Sequence, residues 1–167
     1  MYDDELLEVK NLSKIFKKNN TEFKAVDNVS LVLKSGECLG ILGESGSGKT
    51  TLARIIVGIE KATEGSIFLN GKKLKDIENK DMKDRKEIQM IFQNPISSFN
   101  PRMLIEDYLY EPLRNYQKLS RKEALIEIRK YLIAVGLDET FLKKYPHELS
   151  GGELQRIVIA RAIIVVI

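Results

Sequence analysis

The sequence has few of the residues that would indicate a secreted or membrane-spanning protein. Its one cysteine, Cys38, cannot form a disulfide within the chain. No apolar run is as long as a membrane span, and Arg161 interrupts the longest candidate, residues 157–167. The first ten residues lack the basic and apolar parts of a secretion signal. These absences predict a cytosolic protein that reaches a membrane only through a partner.

Neither sign of charge dominates the chain. The 27 basic and 24 acidic residues leave a net charge of +3, which gives no reason to expect a nucleic-acid partner. Hydrophobic residues make up 43% of the sequence and charged residues 31%, as is usual for soluble globular domains. A length of 167 residues is enough for one domain, or for one domain with a sizeable insertion.

Glycine is concentrated in the stretch GESGSGKT, residues 43–50. Gly43, Gly48, Lys49 and Thr50 fill the G-x-x-x-x-G-K-[ST] pattern of the Walker A phosphate-binding loop. The apolar run before it, residues 37–42, predicts a buried strand. Apolar residues at helical spacing follow it, namely Leu52, Ile55, Ile56 and Ile59. Strand, glycine loop and helix form the context that the motif requires.

The residue types in this loop suit a nucleotide with bound Mg²⁺. Glycines let successive backbone N–H groups point at phosphate oxygens, and the start of the following helix adds its positive dipole end. Lys49 supplies a mobile charge for the β and γ phosphates, and the Thr50 hydroxyl is a suitable Mg²⁺ ligand. The predicted phosphate-binding residues are Gly43, Glu44, Ser45, Gly46, Ser47, Gly48, Lys49, Thr50 and Thr51.

The rest of the chain changes from strand to helix patterns. Strands are predicted at residues 6–16, in two parts of 25–42 separated by a turn at 34–36, and at 64–69 before an Asn70-Gly71 turn. Residues 87–92 predict a further strand, so that a parallel sheet would continue there. Two Asn-Pro pairs then mark a loop. Helices are predicted at 103–116 and 121–136, the second with a capping box at Ser120 and Glu123.

A second glycine cluster lies in YPHELSGGELQRIVIARAI, residues 145–163. LSGG before this helix resembles the signature of the ATP-binding cassette (ABC) ATPases, and the Walker A loop precedes it in the order of that family. Residues 87–103, EIQMIFQNPISSFNPRM, are similar to the ATP-binding subunits of oligopeptide, dipeptide and nickel importers. The resemblance implies an α/β P-loop NTPase core with a β-rich N-terminal part. The change from strand to helix patterns, taken with this resemblance, predicts a nucleotide-binding core with a β subdomain and the phosphate loop at 1–94 and an inserted helical subdomain at 95–150. The signature helix and the start of the next core strand are expected at 151–167.

The resemblance also implies roles for residues outside the Walker A loop. Gln93 would contact Mg²⁺ or the attacking water, in a loop that faces the membrane subunit. Phe16 would stack on adenine, with Phe23 as the alternative. His147 precedes the signature, whereas the family's switch histidine follows it, so His147 is expected to be structural.

The signature itself predicts a second phosphate site. Ser150 is a good N-cap, and Gly151 and Gly152 leave the first N–H groups of the helix bare. In the family, two such subunits pair head to tail, so that Ser150, Gly151, Gly152 and Glu153 would meet the partner's ATP. Glu153 stands where glutamine is more usual, which puts a carboxylate near that nucleotide.

The family resemblance extends past the given sequence. In the family, an aspartate that holds Mg²⁺, a glutamate that polarises water and a switch histidine follow the signature helix, whereas the sequence ends at Ile167. The expected fold is therefore C-terminally truncated. No catalytic residue is present apart from the assisting Gln93, and hydrolysis would lack its general base.

The leading hypothesis is an ATP-binding subunit of an ABC importer, which couples ATP binding and hydrolysis to the uptake of peptides or nickel. Its expected partners are a second ATPase subunit, membrane permease subunits and, indirectly, a solute-binding protein, on the inner face of the cell membrane. One alternative is a non-transport ABC ATPase that acts on nucleic acid or ribosomes. The other is a truncated cassette that catalyses nothing.

Overall fold

The computed structural model describes residues 5–19, 21–74 and 87–166. The chain divides into two compact units, residues 1–81 and 82–167. The described part of the first is mainly a β-sheet with one helix, and that of the second is helical. No helix in these described ranges combines the length and apolar character needed to cross a membrane.

The sheet of the first unit is antiparallel, with the strand order β2-β1-β3-β4. Its strands are β1 (Glu5–Lys18), β2 (Thr21–Lys34), β3 (Glu64–Leu69) and β4 (Lys72–Lys73). The strands predicted at 6–16, at 64–69 and in the first part of 25–42 are therefore confirmed. Asn70 and Gly71 form the predicted turn, with φ of 50° and 73°, which these two residue types tolerate.

The two strands predicted at 37–42 and 87–92 are wrong. Neither segment is a strand in the structure, and the described strand pairs are all antiparallel. A strand needs a neighbour to pair with its N–H and C=O groups, and the described residues supply none to either segment. Leu42, expected to be buried, is 96% exposed.

Helix α1 (Lys49–Ile56) covers one part of this sheet. Leu52 and Ile55 lie on its buried face and pack in one cluster with Val9, Leu12 and Val26, as the helical spacing predicts. Ile59 does not share this face, because the helix ends at Ile56 before the chain reaches it. It is an exposed side chain.

The described part of the second unit contains three α-helices: α2 (Ile105–Pro112), α3 (Arg121–Ala134) and α4 (Gly151–Val166). Both predicted helical regions are confirmed, and α2 continues into a π-helical turn at Leu113–Gln117. The capping box at the start of α3 is also confirmed. One core joins the three helices and includes Ile105, Leu109, Leu113, Ile128, Leu132, Ile157 and Ile164. Helix α4 thus packs with the region predicted as 95–150, and the boundaries at 94 and 150 stay predictions.

A buried carboxylate ties α2 to the elements around it. Glu106 is only 3% exposed, and its two oxygens accept hydrogen bonds from Arg121 Nε at 2.9 Å and Lys143 Nζ at 2.6 Å. Burial raises the pKa of Glu106, but the hydrogen bonds from Lys143 and Arg121 outweigh it, so the pKa lies below its usual value. Glu106 therefore remains ionised at neutral pH and links three segments of the second unit.

We expect Glu106→Gln to lower the free energy of unfolding by about 1–3 kcal/mol at pH 7, because a charged hydrogen-bond acceptor is lost from a buried position. A depressed pKa stabilises the fold above the carboxyl's unfolded pKa, and this contribution is lost as the pH falls through the folded value. The difference between wild type and variant should therefore shrink in acid. Urea unfolding followed by circular dichroism measures both effects.

The matched control is Glu127→Gln, which removes the partner of Lys130 on the exposed side of α3. An exposed ion pair contributes little to stability, so the free energy of unfolding of this variant should be almost that of wild type. Equal losses in the two variants would contradict a special role for Glu106.

Candidate nucleotide-binding site

The predicted phosphate loop curls around the ammonium group of Lys49. Lys49 Nζ donates hydrogen bonds to the carbonyl oxygens of Gly43 at 2.8 Å and Glu44 at 2.6 Å, and to Ser47 Oγ at 3.2 Å. Lys49 is also the first residue of α1. The loop thus brings a positive charge and a helix N-terminus to the same place.

Gly48 joins this loop to the helix by a contact that no other residue type permits. Its φ is +92°, and a Cβ atom there would lie 2.0 Å from the carbonyl oxygen of Ala25. The β1–β2 register shifts at this point, from Lys14↔Val26 to Ile15↔Lys24, so Ala25 is the extra residue of a β-bulge. The bulge presents the Ala25 carbonyl to the start of α1.

The other end of α1 is attached to β1. After the helix, the Glu60 carboxylate accepts a hydrogen bond from Lys14 Nζ at 2.6 Å, and the Lys61 carbonyl accepts a second one at 2.7 Å. The hydrogen bond from Lys14 is the largest cause that lowers the pKa of Glu60. Thr63 adds two hydrogen bonds. Its Oγ1 accepts one from the Ile15 N–H, and its own N–H donates one to the carbonyl oxygen of Ser13. One β-hairpin therefore holds both ends of the helix.

The residues of the loop fit a phosphate group. The N-cap residue Gly48 has no side chain to satisfy the first N–H groups of α1, which leaves them to an external acceptor. A Cβ atom at Gly43 would lie 2.8 Å from Ser47 Oγ, so a side chain there would fill the cradle. Thr50 is exposed on the first turn of the helix, which leaves its hydroxyl available to a metal ion bound with the phosphates.

Phe16 lies in the same unit as this loop. It is 39% exposed and stands opposite Phe23, which is 62% exposed, in the β1–β2 hairpin. Directly opposed residues of an antiparallel pair point to the same face. The hairpin therefore presents two exposed aromatic side chains on one face, and a base can stack on one such ring.

The signature residues begin helix α4 in the second unit. Ser150 N–H and Oγ both donate to the Glu153 carboxylate at 2.7 Å, and Glu153 N–H donates to Ser150 Oγ at 3.3 Å. This is a reciprocal capping box, and the backbone hydrogen bond from Ser150 is the largest cause that lowers the pKa of Glu153. Gly151 and Gly152 are exposed beside it.

Gln93 and His147 also belong to the second unit. Gln93 is exposed and follows the non-strand segment 87–92. His147 stacks on Tyr145, with ring centroids 5.7 Å apart, in the short turn before the signature. The structure thus places Phe16 and the Walker A loop in one unit, and Gln93 and the signature in the other.

The chain matches known proteins along most of its length. The family model for ABC transporters matches residues 26–166. The chain is 47% identical to the oligopeptide transport ATP-binding protein OppF of Haemophilus influenzae, an alignment that covers 96% of the chain and 52% of that relative. It is 45% identical to the nickel import ATP-binding protein NikE of Escherichia coli, with 84% of the chain and 53% of the relative covered.

Comparison with solved structures points to the same family as these sequence relatives. The dimeric structure of MJ0796, a bacterial ABC transporter cassette, superposes with a TM-score of 0.83 at 31% identity and covers 95% of this chain and 69% of that one. The chain therefore belongs to the ABC transporter family of ATP-binding proteins, and its fold is that of an ABC ATPase cassette. It spans about half the length of the curated relatives that it matches.

Two features of the site escaped sequence analysis. The capping box of Ser150 and Glu153 follows the same S-x-x-E pattern as Ser120 and Glu123, so the signal for it was present. The contact of Lys14 with Glu60 had no local signal, because 46 residues separate the two.

Gly48→Ala tests the close contact between loop and hairpin. The left-handed φ costs a residue with a side chain about 1–2 kcal/mol, and the overlap with the Ala25 carbonyl adds to it. We expect a lower free energy of unfolding and loss of phosphate binding, measured by urea unfolding and by titration with an ATP analogue.

Gly71→Ala is the control for this variant. Its φ is +73°, but no atom lies within 4 Å of the position of a Cβ, so only the backbone cost applies. Nucleotide binding should be retained in this variant. A stability loss in Gly48→Ala no larger than in Gly71→Ala would contradict the steric argument.

Proposed function

We propose that this chain is an ATP-binding subunit of an ABC importer that takes up peptides or nickel. The observation that carries the proposal is the geometry of the loop at residues 43–51. Lys49, the free N–H groups at the start of α1 and the close approach of Gly48 to the hairpin together suit a nucleoside triphosphate. Identity to OppF and NikE, which are named for oligopeptide transport and nickel import, supports the two solute classes.

Each residue of the loop has a role in this proposal. The N–H groups of residues 44–49 bind phosphate oxygens, while Lys49 exchanges its carbonyl partners for the β and γ phosphates. The hydroxyl of Thr50 would hold Mg²⁺ in this proposal, and the side chain of Gln93 would be a further ligand. Mg²⁺ would neutralise phosphate charge when bound. Phe16 stacks on adenine, with Phe23 as the alternative. The structure of the similar cassette MJ0796 in a post-hydrolysis state, bound to ADP and Pi, supports an adenine nucleotide as the ligand of this loop.

Lys49→Ala tests the nucleotide site. A charge-assisted hydrogen bond contributes roughly 1.5–3 kcal/mol, so we expect the affinity for ATP to fall at least about tenfold. Titration with an ATP analogue that carries a fluorophore on the ribose measures it.

Lys72→Ala, which removes an exposed lysine from β4, is the control and should bind as wild type does. Circular dichroism would show that both variants are folded. Equal affinity of Lys49→Ala and wild type would remove the basis for the proposal.

The signature is proposed to serve a second subunit. Ser150, Gly151, Gly152 and Glu153 would contact the ATP held by the partner in a head-to-tail dimer. The dimeric form of MJ0796 supports a second cassette as partner. ATP hydrolysis coupled to transport is proposed for the assembled protein, in which this chain supplies the phosphate loop, the base platform and the signature.

We further propose that permease subunits bind the loop that begins at Gln93, with the solute-binding protein engaged through them. The cassette would then lie on the inner face of the cell membrane. The loop has the exposed side chains that docking requires: Ile96 is 62% exposed, and a short 3₁₀ turn at Pro95–Ser98 presents it. Asn94 caps this turn by accepting a hydrogen bond from Ile96 N–H.

Crosslinking tests the docking loop. Cysteines replacing Ser97 or Asn100, in a Cys38→Ser background, should crosslink to co-expressed membrane subunits, because both positions are exposed beside Ile96. A cysteine replacing Lys72 on β4 is the control. Crosslinks that form only from the control position would contradict this docking surface.

A further inference from the structure

One lysine lies against the proposed base platform. Lys14 Nζ is 4.8 Å from the centroid of the Phe16 ring and lies over its face. Lys14 and Phe16 are two residues apart in β1, so both side chains point to the same side of the strand. One of the two faces of the Phe16 ring is therefore covered by a cation.

The position of this ammonium group is fixed by groups outside β1. It donates to Glu60 Oε1 at 2.6 Å and to the Lys61 carbonyl at 2.7 Å. The Lys14 side chain is only 12% exposed, whereas Phe16 is 39% exposed. Two hydrogen bonds and burial thus hold the charge against one face of the ring, and the exposed part of the ring is left for another partner.

We propose that Lys14 is a positioning residue for the nucleotide base, acting through Phe16. This inference rests on the proposed function, because it requires a base to stack on Phe16. Lys14 blocks one face of the ring and directs the base to the other. It also anchors the platform, through Glu60 and Lys61, to the segment that follows the phosphate-loop helix.

The cation should also strengthen stacking on the open face. An aromatic ring has a negative face, which attracts a cation and repels the negative face of a second ring. A lysine on one side draws electron density towards itself and makes the opposite face less negative. An electron-rich purine then stacks on that face with less repulsion. Lys14 is thus predicted to contribute to base binding without contacting the nucleotide.

Calorimetric titration of Lys14→Met with two separate ligands tests the inference. ATP carries a base, and inorganic tripolyphosphate carries only the phosphates. We expect ATP to bind about two- to threefold more weakly than to wild type, because the contact between Lys14 and Phe16 is present with and without nucleotide and only its effect on base stacking is lost on binding. The affinity for tripolyphosphate should be unchanged, since the phosphate loop keeps Lys49 and its glycines.

Three further variants make the test specific. Lys10→Met is the matched control, because Lys10 lies on the same strand over another ring, Phe68, at 5.0 Å from its centroid. It should leave both affinities unchanged. Lys14→Arg keeps a cation and should restore most of the affinity for ATP. In a Phe16→Leu background, Lys14→Met should have no further effect, because its action passes through the ring.

Each outcome decides between the possible roles. An unchanged ATP affinity in Lys14→Met would overturn the inference and leave the proposed function standing. An equal loss for ATP and tripolyphosphate would also overturn it, because Lys14 would then support the fold of the phosphate loop. Failure of the wild-type chain to bind either ligand would overturn the proposed function, and this inference with it.

Discussion

The contact between Gly48 and the Ala25 carbonyl fixes where the phosphate loop lies. A Cβ atom would come within 2.0 Å of that oxygen, so the loop can approach the hairpin this closely only through glycine. The bulge that presents the carbonyl belongs to β2, and the register shift that creates it lies opposite Lys14 and Ile15. The same stretch of β1 holds the far end of α1 through Glu60. Loop, helix and aromatic platform are thereby built on one hairpin.

The features that the sequence predicted correctly are decided within a few residues. Ser120 and Glu123 are three residues apart and complete a cap by themselves. Asn70 and Gly71 form a turn because both tolerate a positive φ. The contacts of Gly48 with Ala25 and of Lys14 with Glu60 join residues far apart in the chain, and no spacing rule indicates such pairs. Local chemistry was therefore predictable, and the packing that positions it was not.

The two wrong strands show the limit of an apolar pattern. Residues 37–42 and 87–92 have the composition of buried parallel strands, yet Leu42 and Ile91 are exposed. Parallel strands occur almost only in sheets whose two faces are both covered, and any strand needs at least one neighbour that pairs with its backbone N–H and C=O groups. Composition describes the environment that a segment suits, whereas strand formation depends on neighbours, and the described residues supply none.

The start of α4 combines a good cap with two poor helix formers. Ser150 and Glu153 form the same reciprocal cap as Ser120 and Glu123, but α3 begins with Arg121 and Lys122 where α4 has Gly151 and Gly152. Glycine in a helix interior costs roughly 1 kcal/mol relative to alanine, which is an upper bound for these two positions in the first turn. A Cβ atom at either glycine would meet no atom within 4 Å, so packing within the chain does not require them. This stability cost without an internal reason supports the proposal that the helix start contacts a group outside this chain.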